Sequence, residues 1–214
     1  MGDIFQEVDE EVRRDRFNKF WKEYGAYVIT AAVALVLGTA ASVGWREYNA
    51  QRQQEDSDRF AAAIALATDG KQEEAASAFR VLSSEAQNGY ALFARFRTAD
   101  AQKEAGDVAA AIQTFEEIAA DSGVDTLYRD LASLLTIMHT IDNGEPEKLR
   151  VGLTPLLAED GVWRHSAREL SGALALRVRD RELAKTEFQK LADDLLAPPG
   201  ARARATEILQ ILGG

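Results

Sequence analysis

His139 and His165 are the side chains in this sequence best suited to proton transfer or metal ligation near neutral pH. They lie far apart in the chain, and no cysteine exists to complete a ligand set with them. His139 follows Met138 inside an apolar helical run, and His165 sits beside Trp163 and Arg164 near a helix start. Both therefore read as structural or surface histidines. The adjacent carboxylates Glu116-Glu117 and Asp193-Asp194 fall at helix ends and read as solvated faces. No Gly-rich phosphate loop, nucleophile elbow or zinc helix motif occurs. These residues point to no catalytic activity, no cofactor, no metal and no small-molecule substrate. They point to a chain that binds.

Charge narrows what it binds. Thirty-five acidic residues against twenty-five basic ones leave a formal net charge of −10. Phosphate backbones need a basic surface, so nucleic acid is a poor partner for this chain. The absence of cysteine fits an oxidising compartment such as a periplasm. Plentiful Ala and Leu with only four prolines favour helix.

One segment is built for a bilayer. Tyr24 to Trp45 is free of charge and is bounded by Glu23 and Arg46. At about 1.5 Å per residue such a helix spans roughly 33 Å. Tyr24 and Tyr27 stand at one end, Trp45 and Tyr48 at the other, where interface aromatics belong. Gly38, Ala41 and Ser42 form a small-residue patch, ordinary in a bilayer and also open to another membrane helix. The basic residues Arg13, Arg14, Arg16, Lys19 and Lys22 before the span outnumber Arg46, Arg52 and Arg59 after it. That excess predicts a cytoplasmic N-terminus. The apolar stretch is too long for a cleaved signal peptide, and the triplet Ala32-Val33-Ala34 lies too early in it, so the segment reads as an anchor. The expected organisation is a cytoplasmic amphipathic tail over 1–23, a transmembrane helix over 24–45 and a periplasmic domain over 46–214.

Within the tail, Ile4, Phe5, Val8, Val12, Phe17, Phe20, Trp21 and Tyr24 recur at helical spacing. This is an amphipathic helix, either lying along the bilayer surface or docking a cytoplasmic partner. After the span, helical spacing continues through Phe60, Ile64 and Ala67 without a breaker before Gly70. The first helix of the domain is therefore expected to continue from the membrane helix.

Gly70, Gly106, Gly144 and the pair Arg179-Asp180 then punctuate the chain every 35 to 38 residues. An amphipathic run follows each of them. Two helices per period of this length is the pattern of a helical repeat array, in which hairpins bury their apolar faces by stacking. The clearest unit runs from Ala94 to Ala120. Ala99 is small, Gly106-Asp107 turns, Ala111 is small where the second helix crosses, and Phe115 fills the gap. This resembles the tetratricopeptide repeat. Ala75 and Phe79 match in the first unit, and Gly172, Ala184 and Phe188 in the fourth. The third departs, with Leu149 at the small position, Pro146 near the helix start and Pro155 inside the run, and distortion is expected there. A last helix after Pro198-Pro199-Gly200, carrying Ala201, Ala205, Ile208, Leu209 and Leu212, is expected to cap the array. The fold class is all-α: one transmembrane helix, a tetratricopeptide-like array and a C-terminal cap.

With the units in register, the first helix of each pair lines the concave side. That face carries Phe60 and Ile64, Phe93 and Phe96, Leu131, Leu134, Met138 and Ile141, then Ala173 and Leu176. Two readings stand. These residues form a groove for a partner's peptide or helix, or they pack inside the domain, under the C-terminal helix.

The run Glu7-Val8-Asp9-Glu10-Glu11-Val12-Arg13-Arg14-Asp15, one span and a tetratricopeptide-like domain together resemble the YfgM family, along essentially the whole chain. Its members are ancillary subunits of the Sec translocon in the bacterial inner membrane. The resemblance implies Sec translocon subunits and a membrane-anchored prolyl isomerase as partners. It also implies a part in handing translocated proteins to periplasmic chaperones, and it brings no catalytic residues. The expected function is a non-enzymatic scaffold or chaperone-like adaptor. The alternatives are a membrane-tethered regulator acting through its tail and a cell-envelope assembly scaffold acting through its repeats.

Overall fold

The computed structural model describes residues 3–86 and 89–213, with side chains from residue 13 onward except that of residue 15. Ile4, Phe5, Val8 and Val12 of the expected amphipathic face, and most of the Glu7–Asp15 run, therefore lie outside the described side chains. The described residues are all-helical and contain no strand. Their elements in order are α1 (Asp3–Thr68), α2 (Gln72–Glu85), α3 (Gly89–Glu104), α4 (Val108–Ala120), α5 (Thr126–Thr140) and α6 (Pro146–Leu153). A 3-10 turn over Thr154–Leu157 follows, then α7 (Arg164–Arg177), α8 (Arg181–Asp193) and α9 (Pro199–Ile211).

The chain divides into two units between Glu55 and Asp56. The first holds the apolar segment. α1 contains a stretch long and apolar enough to cross a membrane, and none of that stretch is buried in the protein. Its hydroxyls are satisfied within the helix: Thr30, Thr39 and Ser42 donate to the carbonyls of Ala26, Leu35 and Thr39 at 2.8, 2.8 and 2.9 Å. A hydrocarbon environment offers no other partner for them.

The second unit is the array. The last turns of α1 pair with α2, α3 with α4, α5 with α6, and α7 with α8, while α9 packs on α8 and α7. Each pair is joined by a tight turn. At Gly70 and Gly106 φ is 79° and 91°, the left-handed conformation that only glycine adopts without strain. Gly70 and Lys71 donate to the carbonyls of Ala67 and Leu66 at 3.2 and 2.9 Å. Gly106 and Asp107 do the same to Lys103 and Gln102, both at 2.9 Å. These paired bonds are the Schellman closure of a helix C-terminus. Asp107 then caps α4 by accepting from the Ala110 N–H at 3.0 Å. In the fourth unit Arg179 takes the glycine's place at φ 63°, and Asp180 caps α8 through the Leu183 N–H at 3.0 Å.

The core follows from the same register. Seven residues before each turn stand Ala63, Ala99, Ile137 and Gly172; five after it, Ala75, Ala111, Leu149 and Ala184; nine after it, Phe79, Phe115, Leu153 and Phe188. All twelve fall at buried or nearly buried positions, and Phe79, Phe115 and Phe188 are among the largest fully buried side chains. Three units thus pack two small residues against one phenylalanine. The third packs Ile137 and Leu149 against a smaller Leu153, a set that is bulkier in total than those of the other units. Gly152 makes room for it, since a Cβ there would come 3.1 Å from Ile137 Cδ1. Pro155 has no N–H to continue α6, and the chain tightens into the 3-10 turn, as the two prolines of this unit led one to expect. α9 closes the array with Ala201 and Ala205 buried inward and Arg204, Glu207 and Gln210 outward.

Candidate functional site

The first helices of the units carry the face on which the sequence placed a partner. Their N-terminal turns are linked by aromatic residues. Phe60 meets Tyr90 with ring centroids 5.5 Å apart, and Phe93 meets Tyr128 edge-on at 6.0 Å. At the next junction the Trp163 indole Nε1–H donates to the Leu127 carbonyl at 2.9 Å. Tyr90, Tyr128 and Trp163 each stand sixteen residues before the turn residues Gly106, Gly144 and Arg179. That spacing was available in the sequence, but alignment on the small and turn positions alone passed over it.

The eight candidate groove residues separate by exposure. Phe60 and Ile64 pack on the first core cluster, Phe60 edge-on to Phe79 at 5.4 Å. Phe96 packs on Phe115 at 6.1 Å, within the second unit's cluster. Leu134 is buried, and Ile141 packs against the core cluster to which Leu134 belongs. Leu131 is half-buried. Phe93 and Met138 remain open, at 48% and 43% exposure. The face is therefore mostly packed into the core clusters, with Phe93 and Met138 as its exposed apolar side chains among the eight. Ala173 and Leu176, the extension into the fourth unit, are half-buried, Leu176 against the α8–α9 cluster. α9 itself packs at the C-terminal end of the array.

Polar residues tie helices together at both ends, within a unit at one and between successive units at the other. At one end Arg59 pairs with Glu85 and Arg95 with Asp121, each at 2.6 Å. At the other, the Arg177 guanidinium donates to the carbonyls of Ile141 and Gly144, the latter at 2.6 Å. This closes the C-terminus of α5, where Gly144 lacks the left-handed turn of its counterparts.

The two histidines are both engaged. The His139 ring stacks on Phe115, with centroids 5.8 Å apart and planes 14° from parallel. Burial disfavours its imidazolium and lowers its pKa; Lys103 adds to the shift and Asp100 opposes it. His165 Nε2 lies 2.9 Å from Asp194 Oδ2, with Arg164 also near at 3.6 Å. The Leu196 N–H, then His165, hold the Asp194 carboxyl below its ordinary pKa. Asp194 is thus a structural anchor, where the sequence alone suggested a solvated acidic pair. Among the described residues no group of acidic side chains and histidines is arranged to hold a metal ion.

Residues 18–210 match the model of the tetratricopeptide repeat-like domain family. The chain belongs to this family. The match takes in the apolar segment of α1 as well as the array that follows it. Neither a curated protein nor a solved structure matches the chain. Tetratricopeptide-like arrays are typically protein-interaction modules, and their stacked hairpins present extended surfaces to other proteins. One candidate membrane-spanning helix near the N-terminus is consistent with single-pass anchoring of that module.

Proposed function

We propose that this chain is a non-enzymatic adaptor held in the bacterial inner membrane, with its N-terminus in the cytoplasm and its array in the periplasm. Residues 1–23 form the tail, 24–45 the span and 46–214 the domain. One observation carries the adaptor reading: a single family match joins a candidate span to an interaction array. Anchoring restricts the array to the neighbourhood of the bilayer, so weak contacts with other membrane-held proteins are strengthened by effective concentration.

The resemblance of the tail, span and array to the YfgM family supports the finer reading. The partners are then Sec translocon subunits and a membrane-anchored prolyl isomerase, and the adaptor helps pass translocated proteins to periplasmic chaperones. The contact surface we propose is the first-helix face of Phe60, Ile64, Phe93, Phe96, Leu131, Leu134, Met138 and Ile141. Phe93 and Met138 are its reachable members. Leu134 is buried, so a charge there would break the core before it tested binding.

The test is capture through a C-terminal tag from membranes solubilised in mild detergent. The intact chain is expected to recover Sec channel subunits and the anchored prolyl isomerase. A Phe93→Glu/Met138→Glu double variant that keeps its helical circular dichroism and melting temperature is expected to lose the isomerase. Recovery of neither partner by the intact chain, with the channel itself intact, would remove the translocon assignment.

A further inference from the structure

The joints between successive units reuse one position. It lies five residues before the turn of each first helix, and it serves the core of the unit before. Ala101 shares a core cluster with Phe79, and Leu174 shares one with Leu153. Ile208 of α9 packs against the cluster that holds Phe188. The turn residue that follows Ile208 is Gly213, at φ 69°. Its N–H donates to the Gln210 carbonyl at 3.2 Å, as that of Gly70 does to Ala67 at 3.2 Å. By this register α9 is a further first helix, and the position recurs at every joint of the array.

Between the second and third units the position holds His139. Its ring covers Phe115, with centroids 5.8 Å apart. The alanine, leucine and isoleucine at the other joints have no charge to gain. An imidazole gains one in the physiological pH range. The side chains around it do not favour that charge. From α3, Lys103 opposes the imidazolium, and Asp100, which favours it, is engaged with Arg97 at 3.5 Å. From α4 comes the apolar Phe115 ring, while Glu116 and Glu117 are exposed. In α6, Lys148 pairs with Glu145 and Arg150 with Glu147. At the C-terminus of α5, the carbonyls of Ile141 and Gly144 already accept from Arg177 of α7.

Burial, assisted by Lys103, lowers the pKa of His139 in the closed joint. In an open joint the ring meets water and binds its proton more readily, so falling pH favours opening. Arrays are held together by interfaces between neighbours, so a weakened interface opens locally. Near the start of α5 the same joint is fastened by Phe93 edge-on to Tyr128 at 6.0 Å, a contact that carries no charge near neutrality. It is the natural pivot.

We propose that the joint between the second and third units is a pH-sensitive hinge with His139 as its sensor. It is closed while the neutral imidazole covers Phe115, and it opens at that end when the imidazolium forms. Phe93 on α3 and Met138 on α5, the exposed members of the proposed contact face, stand on its two sides. A partner bridging them is released as pH falls. That consequence rests on the contact-surface reading; the hinge itself does not.

The test is hydrogen exchange on the full chain in mild detergent, with no partner present, at about pH 7.5 and about pH 5.5. Labelling times are scaled for the pH dependence of intrinsic exchange. Amides of α5 and of the second half of α4 are expected to lose protection several-fold at the lower pH, relative to those of α2 and α8. In His139→Phe this selective loss is expected to vanish. His139→Leu, which copies Leu174, serves equally should the first variant fold poorly. An equal change at every joint of the native chain, no change at this joint, or a selective loss that persists in a folded variant would each overturn the hinge. Failure of the capture test would remove the contact surface and leave this result standing.

Discussion

Gly172 and Phe188 meet across α7 and α8 so closely that a Cβ on Gly172 would stand 2.7 Å from both Cε2 and Cζ of the ring. The phenylalanine is almost wholly buried and has no free volume to retreat into. Gly172→Ala gains about 1 kcal/mol of helix propensity but overpacks this contact, which costs roughly 1–3 kcal/mol. The expected result is a net loss of up to about 2 kcal/mol, read as a lower urea midpoint at unchanged m-value. Phe188→Ala is expected to cost more, about 3–5 kcal/mol, through the cavity it leaves.

Arg179 is the one non-glycine residue with positive φ among the described residues, and it occupies the turn that glycine holds in the first two units. An L-residue in this region is strained by roughly 1–2 kcal/mol, and glycine gives back part of that gain through its freer unfolded chain. Arg179→Gly is expected to raise stability by about 0.5–1 kcal/mol, seen as a higher melting temperature. Gly106→Ala, the reverse exchange at φ 91°, is expected to lower it by about 1 kcal/mol. A destabilised Arg179→Gly protein would mean that the arginine side chain does more than turn the chain.

These two sites also show what a sequence can disclose. The turn, small and aromatic positions of the first, second and fourth units are local in spacing, so a register alone exposed them. The third unit hid because its bulk is placed differently, with Ile137 and Leu149 larger and Leu153 smaller, and only the packed structure shows Gly152 leaving room beside Ile137. On the candidate surface, helical spacing identified which helix face was apolar. It could not separate Phe93 and Met138, which are exposed, from Leu134, which is buried, because that depends on the neighbouring hairpin's side chains.

Arg177 substitutes for a missing helix closure. Its guanidinium takes the carbonyls of Ile141 and Gly144 where the third unit has no left-handed glycine turn. Arg177→Met keeps most of the aliphatic stem and removes both bonds. Two partly buried carbonyls then lose their donors, which is expected to cost about 1–3 kcal/mol. Hydrogen exchange localises the effect: amides at the end of α5 and the start of α6 are expected to lose protection, while those of α2 and α4 keep theirs. Uniform loss of protection would instead mean that the array unfolds as one cooperative block from this junction.

His139 sets a pH dependence of defined sign. Its folded pKa lies below the ordinary 6.5, chiefly through burial, with Lys103 assisting. The unfolded chain therefore takes up a proton before the folded one does as pH falls. The corresponding stability is fully present above 6.5 and is lost as pH drops through that value toward the folded pKa. Asp121 and Asp194, both lowered, act in the carboxylate range well below this window. His139→Phe keeps an aromatic ring on Phe115 and removes the titration. Urea midpoints at about pH 7.5 and about pH 5.5 are expected to fall more for the native chain than for the variant. His165 is common to both chains, so the difference between them belongs to His139. Equal falls would place the imidazole in contact with water in the folded state, contrary to the stacked arrangement.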